Sequence, residues 1–209
     1  MQNFNLSEFL MLMVALVLGI TVHEFSHAIT ADRLGDDTPR SQGRVTLSPL
    51  AHLDPTGTLF MAVSAAIGFG IGWGRPVLTN PGNYRIDRRI ADSLVSFAGP
   101  LSNLVLAALF AVVVRAGIFP PTDAYAVLVE RIVLVNILLF FFNLIPLYPL
   151  DGSHLLANAL PPGMREGYYR MMAQFGFLLF LGLALSGVLG RLIIPPARSV
   201  FLFLVGAGA

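Results

Sequence analysis

Long apolar runs separated by short polar stretches dominate the pattern of the chain. Four of these runs are long enough and apolar enough to cross a bilayer as helices: about 8–31, 91–115, 125–147 and 170–194. A fifth run, about 198–208, is shorter, and Pro195-Pro196 predicts a break in the helix just before it. The pattern predicts an all-α polytopic membrane protein, a bundle of about five to six transmembrane helices.

The apolar run 58–73 is shorter than a membrane-spanning helix, is rich in glycine and follows Asp54-Pro55. Irregular backbone at membrane depth is tolerated where protein or a water-filled cavity surrounds it. We therefore interpret this run as a re-entrant hairpin, which leaves and returns on the same side of the membrane.

Two short segments beside this hairpin have strand-like patterns: Gly43–Leu47, with β-branched residues between turn formers, and Trp73–Leu78. They predict a small β-sheet at the membrane surface. An exposed edge of such a sheet could capture an unwound substrate strand by backbone pairing, and a solvated connector is the alternative.

The composition agrees with a membrane protein, because 56% of the 209 residues are hydrophobic and only 12% are charged. The chain has no cysteine, so a metal would have to be bound by histidine and carboxylate. A formal net charge of +1 and scattered arginines give no reason to expect nucleic-acid binding. The first apolar run lacks a basic start and a small-residue cleavage site, so we interpret it as a retained helix.

The first apolar run ends in an HExxH motif, His23-Glu24-Phe25-Ser26-His27. On a helix, His23 and His27 lie one turn apart on one face and can bind a single metal ion. Glu24 beside them can then accept a proton from water. The structural alternative is a pair of packing histidines, but ionisable side chains in a membrane segment are costly, which favours a zinc site.

A catalytic zinc site needs a third protein ligand, and no His or acid follows HExxH at the spacing of soluble proteases. Asp151 is the best candidate, because Pro146 and Pro149 break a membrane helix just before it. The alternative is a plain Asp-Gly turn in which Asp151 caps the next segment. Asp151 can reach the HExxH motif only if the helices before the two sites run in the same direction. A re-entrant hairpin at 58–73 allows this, whereas a full crossing does not.

The arginines predict which side of the membrane carries the site. Under this topology the loops 32–57 and 74–90 lie on the side of the metal site, and loop 116–124 lies opposite and has no arginine. The first two loops carry Arg33, Arg40, Arg44, Arg75, Arg85, Arg88 and Arg89. The positive-inside rule therefore places the site toward the cytoplasm.

Taken together, these motifs resemble the site-2 protease family of intramembrane zinc metalloproteases. The resemblance rests on HExxH in the first core helix, on Gly99-Pro100-Leu101-Ser102-Asn103 in a middle helix, and on the proline string from Asn143 to Gly152. Segments 47–55 and 73–77 are similar to the compact bacterial branch that lacks PDZ and CBS domains.

The resemblance implies a role for five residues. His23, His27 and Asp151 would bind one zinc ion, Glu24 would be the catalytic acid or base, and Asn143 would lie near the substrate carbonyl. From the residues alone, Asn143 could donate to an oxyanion or hydrogen-bond a neighbouring helix.

The remaining polar residues have less specific patterns. We interpret Asn136, and the small-residue spacing of Gly99 with Asn103, as helix packing. His52 and His154 lie in polar loops on the side of the site, where each could hydrogen-bond a metal ligand or line the path of substrate access. For each of the two, a neutral surface histidine is the favoured interpretation.

The sequence thus predicts an intramembrane zinc endopeptidase that cleaves membrane-spanning segments of other proteins. It predicts a single domain over 1–209, with a core at 8–155 and C-terminal helices at 165–209. The predicted partners are a transmembrane protein substrate and the lipid bilayer, in a bacterial cytoplasmic membrane. The alternative is a catalytically silent module that binds membrane proteins as a chaperone, and the intact Glu24 argues against it. A metal transporter would need acids and histidines along a path across the bilayer, whereas here they cluster at one depth.

Overall fold

The computed structural model describes residues 5–66 and 72–206, and the regular elements of these residues are helices. In chain order they are α1 (Leu6–Arg33), α2 (Thr38–Ser41), α3 (Pro49–His52), α4 (Pro55–Ala66), α5 (Arg88–Arg115), α6 (Ala124–Asn143), α7 (Asp151–Ala159), α8 (Pro162–Leu185) and α9 (Val188–Val205). Of those described, α1, α5, α6, α8 and α9 are long and apolar enough to cross a membrane. The protein is therefore a polytopic helical membrane protein.

Polar side chains define where the three central helices begin. Asn5, Asp87 and Asp123 precede α1, α5 and α6, and each accepts a hydrogen bond from backbone N–H groups in the first turn. These caps satisfy N–H groups that have no partner inside the helix. Each apolar run therefore becomes helical at a definite residue.

The helices α1, α5 and α6 form the centre of the bundle. One apolar cluster joins α1, α4 and α6: Ala15, Leu16, Ile20, Met61, Ile132 and Val135. A second joins α5, α6 and α9: Ala107, Ala111, Val133, Ile137, Leu189, Ile193, Ala197 and Val205. Large apolar side chains on the outer faces are exposed, as expected where lipid covers a helix.

The run 58–73 does not form a transmembrane helix in its described part. Helix α4 has 12 residues, which is about 18 Å of helix, against about 30 Å of hydrocarbon in a bilayer. A Cβ atom on Gly57 would collide with the backbone of Trp73, so the chain has returned to the level at which α4 starts. This agrees with the predicted re-entrant hairpin for the described part of the run, and residues 67–71 lie outside the described residues.

The predicted β-sheet is wrong for the described residues. Between 43–54 and 72–78 there is one isolated antiparallel bridge, Leu53 with Gly74, and the Arg75 N–H donates to the His52 carbonyl at 2.7 Å. The segment Gly43–Leu47 forms local turns instead, because the N–H of Arg44 donates to Pro39 and that of Thr46 to Arg44. These two N–H groups are therefore not available to pair with a strand.

Two predicted helix ends are also wrong. The chain turns at Gly187 rather than at Pro195-Pro196, so α8 ends at Leu185 and both prolines lie inside α9. Gly187 has a φ of +74°, which glycine adopts without steric cost. Helix α9 continues through both prolines and packs against α5 and α6. Helix α6 ends at Asn143 and not at 147, because the proline string begins there.

Candidate metal centre

Two histidines of α1 and one aspartate of α7 converge on one buried point. The Nε2 atoms of His23 and His27 are 3.0 Å apart. Asp151 is the first residue of α7, and its Oδ2 atom lies 3.1 Å from His23 Nε2 and 3.4 Å from His27 Nε2. The fold therefore brings together the three residues for which the sequence predicts metal binding.

A chain of buried amides determines the tautomer of His23. The Nδ2 group of Asn103 donates both hydrogens, to the Gly19 carbonyl at 3.0 Å and to Asn136 Oδ1 at 2.8 Å. Only Asn103 Oδ1 is then left to face His23 Nδ1, at 2.8 Å, so this nitrogen must donate. In neutral His23 the Nε2 atom therefore carries a lone pair and no hydrogen.

The same logic applies to His27. Its Nδ1 atom lies 2.7 Å from the carbonyl oxygen of Val95, which can only accept. The Nε2 atom of neutral His27 is therefore also a free acceptor.

Three hydrogen-bond acceptors thus face one another without a donor between them. The Oδ2 atom of Asp151 is buried and has no hydrogen-bond donor in the described structure. Buried acceptors at this distance repel unless a cation lies between them. Two imidazole nitrogens and one carboxylate oxygen are also the donor set of a catalytic zinc site, which keeps a fourth position open. The residues present fit a zinc ion.

Space for the two imidazole rings comes from Gly99 on α5. A Cβ atom at this position would collide with the ring of His27 and lie 2.7 Å from Cε1 of His23. Only a residue without a side chain allows α5 to approach the metal face of α1 this closely. Gly99 and Asn103, interpreted from the sequence as packing residues, therefore shape the site directly.

Asp151 is aimed at the histidines by the turn between α6 and α7. A Cβ atom on Gly152 would collide with the backbone carbonyls of Leu144 and Ile145, so the chain folds tightly on itself here. The Ser153 N–H donates to the carbonyl of Leu150, the residue that immediately precedes α7. This tight turn presents the carboxylate to α1.

Glu24 lies beside the candidate metal site, and most of its side chain is shielded from solvent by other parts of the chain. Its side chain is 13% exposed, and its Oε2 atom is buried without a hydrogen-bond donor in the described structure. It forms an ion pair with the guanidinium of Arg44, whose Nη2 atom is 3.8 Å from Oε2. A buried carboxylate next to two candidate ligands is placed to accept a proton.

The other candidates take different positions. Asn143 is partly buried at the end of α6 and donates to the Leu139 carbonyl of its own helix at 3.0 Å, rather than to a neighbouring helix. His52 is fully buried, with Nε2 2.7 Å from the Thr46 carbonyl, so the interpretation as a surface residue is wrong. It stabilises the loop around α3 because that loop folds back over its ring.

His154 is the most exposed of the four histidines. Its side chain is 45% exposed, and Nδ1 lies 3.6 Å from Asp92 Oδ2 on α5. The carboxylate of Asp92 raises the pKa of His154 above its ordinary value. The ring lines a cavity of about 300 Å³, with Tyr148, Ser153, Tyr168, Tyr169, Met172 and Ala173.

A helical membrane protein in which the HExxH histidines and a distant aspartate converge fits the class of membrane metalloproteases. The comparisons with known proteins agree. The chain is 37% identical over 192 residues to YwhC of Bacillus subtilis (strain 168), covering 88% of this chain and 84% of that protein. It is 32% identical over 186 residues to Rip2 of Mycolicibacterium smegmatis, covering 88% and 70%. Rip2 of Mycobacterium tuberculosis (strain ATCC 35801 / TMC 107 / Erdman) is also 32% identical, over 190 residues.

These relatives share the name "Putative zinc metalloprotease". The chain belongs to the zinc metalloprotease family of YwhC and Rip2. No family model and no solved structure matches it.

Proposed function

We propose that the protein is an intramembrane zinc endopeptidase of the site-2 protease type. It hydrolyses peptide bonds within or near transmembrane segments of other membrane proteins. The observation that carries this proposal is the convergence of His23, His27 and Asp151, whose ligand atoms all lie within 4.8 Å of one another, with Asp151 Oδ2 buried and without a hydrogen-bond partner in the described structure. The names of the relatives support the zinc and protease parts of the proposal.

His23, His27 and Asp151 would hold the zinc ion, with Asn103 and Val95 orienting the two rings. A zinc ion held by these residues would supply a Lewis acid for the peptide carbonyl and would lower the pKa of water toward neutrality. Glu24 accepts the proton of the attacking water and returns it to the leaving amine. Asn143 has a second amide hydrogen besides the one given to Leu139, and we propose that it donates to the substrate carbonyl oxygen.

The substrate must reach this site in an extended form. A transmembrane helix hydrogen-bonds its own carbonyls, so it must unwind before one of them can be attacked. We propose that the site opens toward the cytoplasmic side of a bacterial cytoplasmic membrane, since the arginine-rich loops share its side of the bundle. Cleavage there would serve regulated intramembrane proteolysis, such as the release of a membrane-tethered regulator.

Metal content tests the site itself. The detergent-purified wild type should bind about one zinc ion per chain, and His23→Ala and Asp151→Ala should lose it or bind it much more weakly. His154→Ala and Asp37→Ala are the matched controls, because these side chains are exposed or lie outside the convergence point. Zinc retained in full by Asp151→Ala would rule out the third ligand.

Proteolysis tests the function. Glu24→Gln keeps the shape of the side chain but cannot take up a proton, so it should keep zinc and lose cleavage of a single-span reporter in proteoliposomes. A catalytically silent binding module predicts instead that Glu24→Gln leaves the cellular phenotype of the protein unchanged.

A further inference from the structure

Arg44 is a buried arginine that the proposed chemistry does not use. It follows α2 in the loop before α3, and its exposed fraction is 3%. Arginine is seldom fully buried unless it is paired, because its charge loses hydration. Its burial therefore requires specific partners, and the structure identifies three.

Two partners are backbone carbonyls on separate pieces of chain. Arg44 Nη1 donates to the Ala51 carbonyl of α3 at 2.7 Å, and Nη2 donates to the carbonyl of Arg75. One planar guanidinium thus joins α3 to the segment that follows the re-entrant hairpin. The isolated antiparallel bridge between Leu53 and Gly74 lies beside this contact and pairs only these two residues.

The third partner is Glu24, with its Oε2 atom 3.8 Å from Arg44 Nη2. Gly74 lies across the same carboxylate side chain: a Cβ atom there would be 2.7 Å from Ile20 Cγ2 and 3.5 Å from Glu24 Cγ. The segment Trp73–Arg75 therefore covers the face of α1 that carries Glu24. Without the guanidinium, the Glu24 carboxylate would have no salt-bridge partner among the described residues. The segment Trp73–Arg75 would also lose the donor that its Arg75 carbonyl accepts from.

We propose that Arg44 is a positioning residue, which locks the segment Trp73–Arg75 across Glu24 and holds that carboxylate beside the metal centre. The proposal rests on the proposed function of Glu24 as the catalytic acid and base. Arg44 touches neither the candidate ligands nor, by this proposal, the reacting atoms. It acts through the placement of Glu24 and of the segment above it.

The experiment compares Arg44→Met, Arg44→Lys and Arg40→Met. Arg40 is the matched control, four residues earlier, because its guanidinium is exposed and binds Asp32 through two hydrogen bonds of 2.7 and 2.6 Å. Arg44→Lys keeps the positive charge but cannot span two carbonyls and a carboxylate at once. It also keeps the test usable if Arg44→Met does not fold.

Trp73 supplies a readout that does not depend on proteolysis. It is the single tryptophan of the chain, it lies next to Gly74, and its ring packs on Phe60 with centroids 5.5 Å apart. Quenching of its fluorescence by acrylamide therefore reports on the covering segment alone. Zinc content and the kcat and KM for the reporter are measured on the same samples.

If Arg44 positions Glu24, Arg44→Met should keep about one zinc per chain, increase the quenching of Trp73, and lower kcat by at least about tenfold, with KM changed by less than about threefold. Arg44→Lys should lie between the wild type and Arg44→Met, and Arg40→Met should match the wild type. Unchanged quenching in Arg44→Met, zinc loss in Arg44→Lys, or an equal loss of kcat in Arg40→Met would each overturn the proposal. A wild type without zinc or cleavage would instead overturn the proposed function. The quenching comparison would still test whether Arg44 holds the segment Trp73–Arg75 in place.

Discussion

Replacing Gly99 with alanine should disrupt zinc binding although it adds a single methyl group. The new Cβ atom would lie 2.7 Å from His23 Cε1, whereas ordinary contacts begin near 3.4 Å. The His23 ring must therefore retreat by about 0.7 Å, and His27 by more. Metal–ligand distances in a working site hold to within about 0.2 Å, so neither ring can keep its place.

We expect the Gly99→Ala protein to bind zinc at least about a hundredfold more weakly, which is about 2.7 kcal/mol. The measurement is a zinc competition titration against a chelator of known affinity, with helical content checked by circular dichroism. Gly182→Ala is the control, because a Cβ atom at Gly182 in α8 meets nothing within 4 Å. A Gly99→Ala protein that binds zinc within about threefold of the wild type would refute the close approach of α5 to the metal face.

Three further predictions follow from separate contacts. Asn103→Leu removes the acceptor for His23 Nδ1 and should weaken zinc binding by about 10–100-fold in the same titration; unchanged binding would contradict the orienting role. Gly187→Ala, at a φ of +74°, should lower the free energy of unfolding by about 1 kcal/mol and so lower the melting temperature; an equal or higher melting temperature would argue against the turn. Because Asp92 raises the pKa of His154, their pairing stabilises the fold below about pH 6.5 and is lost as pH rises through the raised value. His154→Ala should therefore lower the melting temperature more at about pH 6 than at about pH 10, by an amount that salt reduces; a larger effect at high pH would contradict it.

Local pattern was enough to predict the central helices and the ligand set. The apolar runs match α1, α5 and α6 because backbone in lipid must satisfy its own hydrogen bonds, so an apolar run of sufficient length becomes a helix. His23 and His27 share a face because four residues are about one helical turn. Asp151 could be predicted because two prolines stop a helix just before it, and the structure places its carboxylate against both rings.

The errors have an equally physical origin. The pattern predicted a break at Pro195-Pro196, but both prolines lie inside α9, and the chain turns where Gly187 adopts a positive φ. The pattern also predicted a sheet, but Gly43–Leu47 uses its hydrogen-bonding groups in local turns. In both cases two local structures competed, a turn against a continued helix or a strand, and residue propensity alone does not decide between them.

The sequence by itself determined the helical class, the membrane location and the three candidate ligands, because each follows from periodicity or from a short local motif. Only the tertiary structure decided what surrounds those ligands. Asn103 orients His23, Gly99 makes room for both rings, and Arg44 pairs with Glu24. Each of these contacts depends on how one helix or loop is rotated and placed against α1. That placement is determined by packing over the whole bundle, which a local pattern does not record.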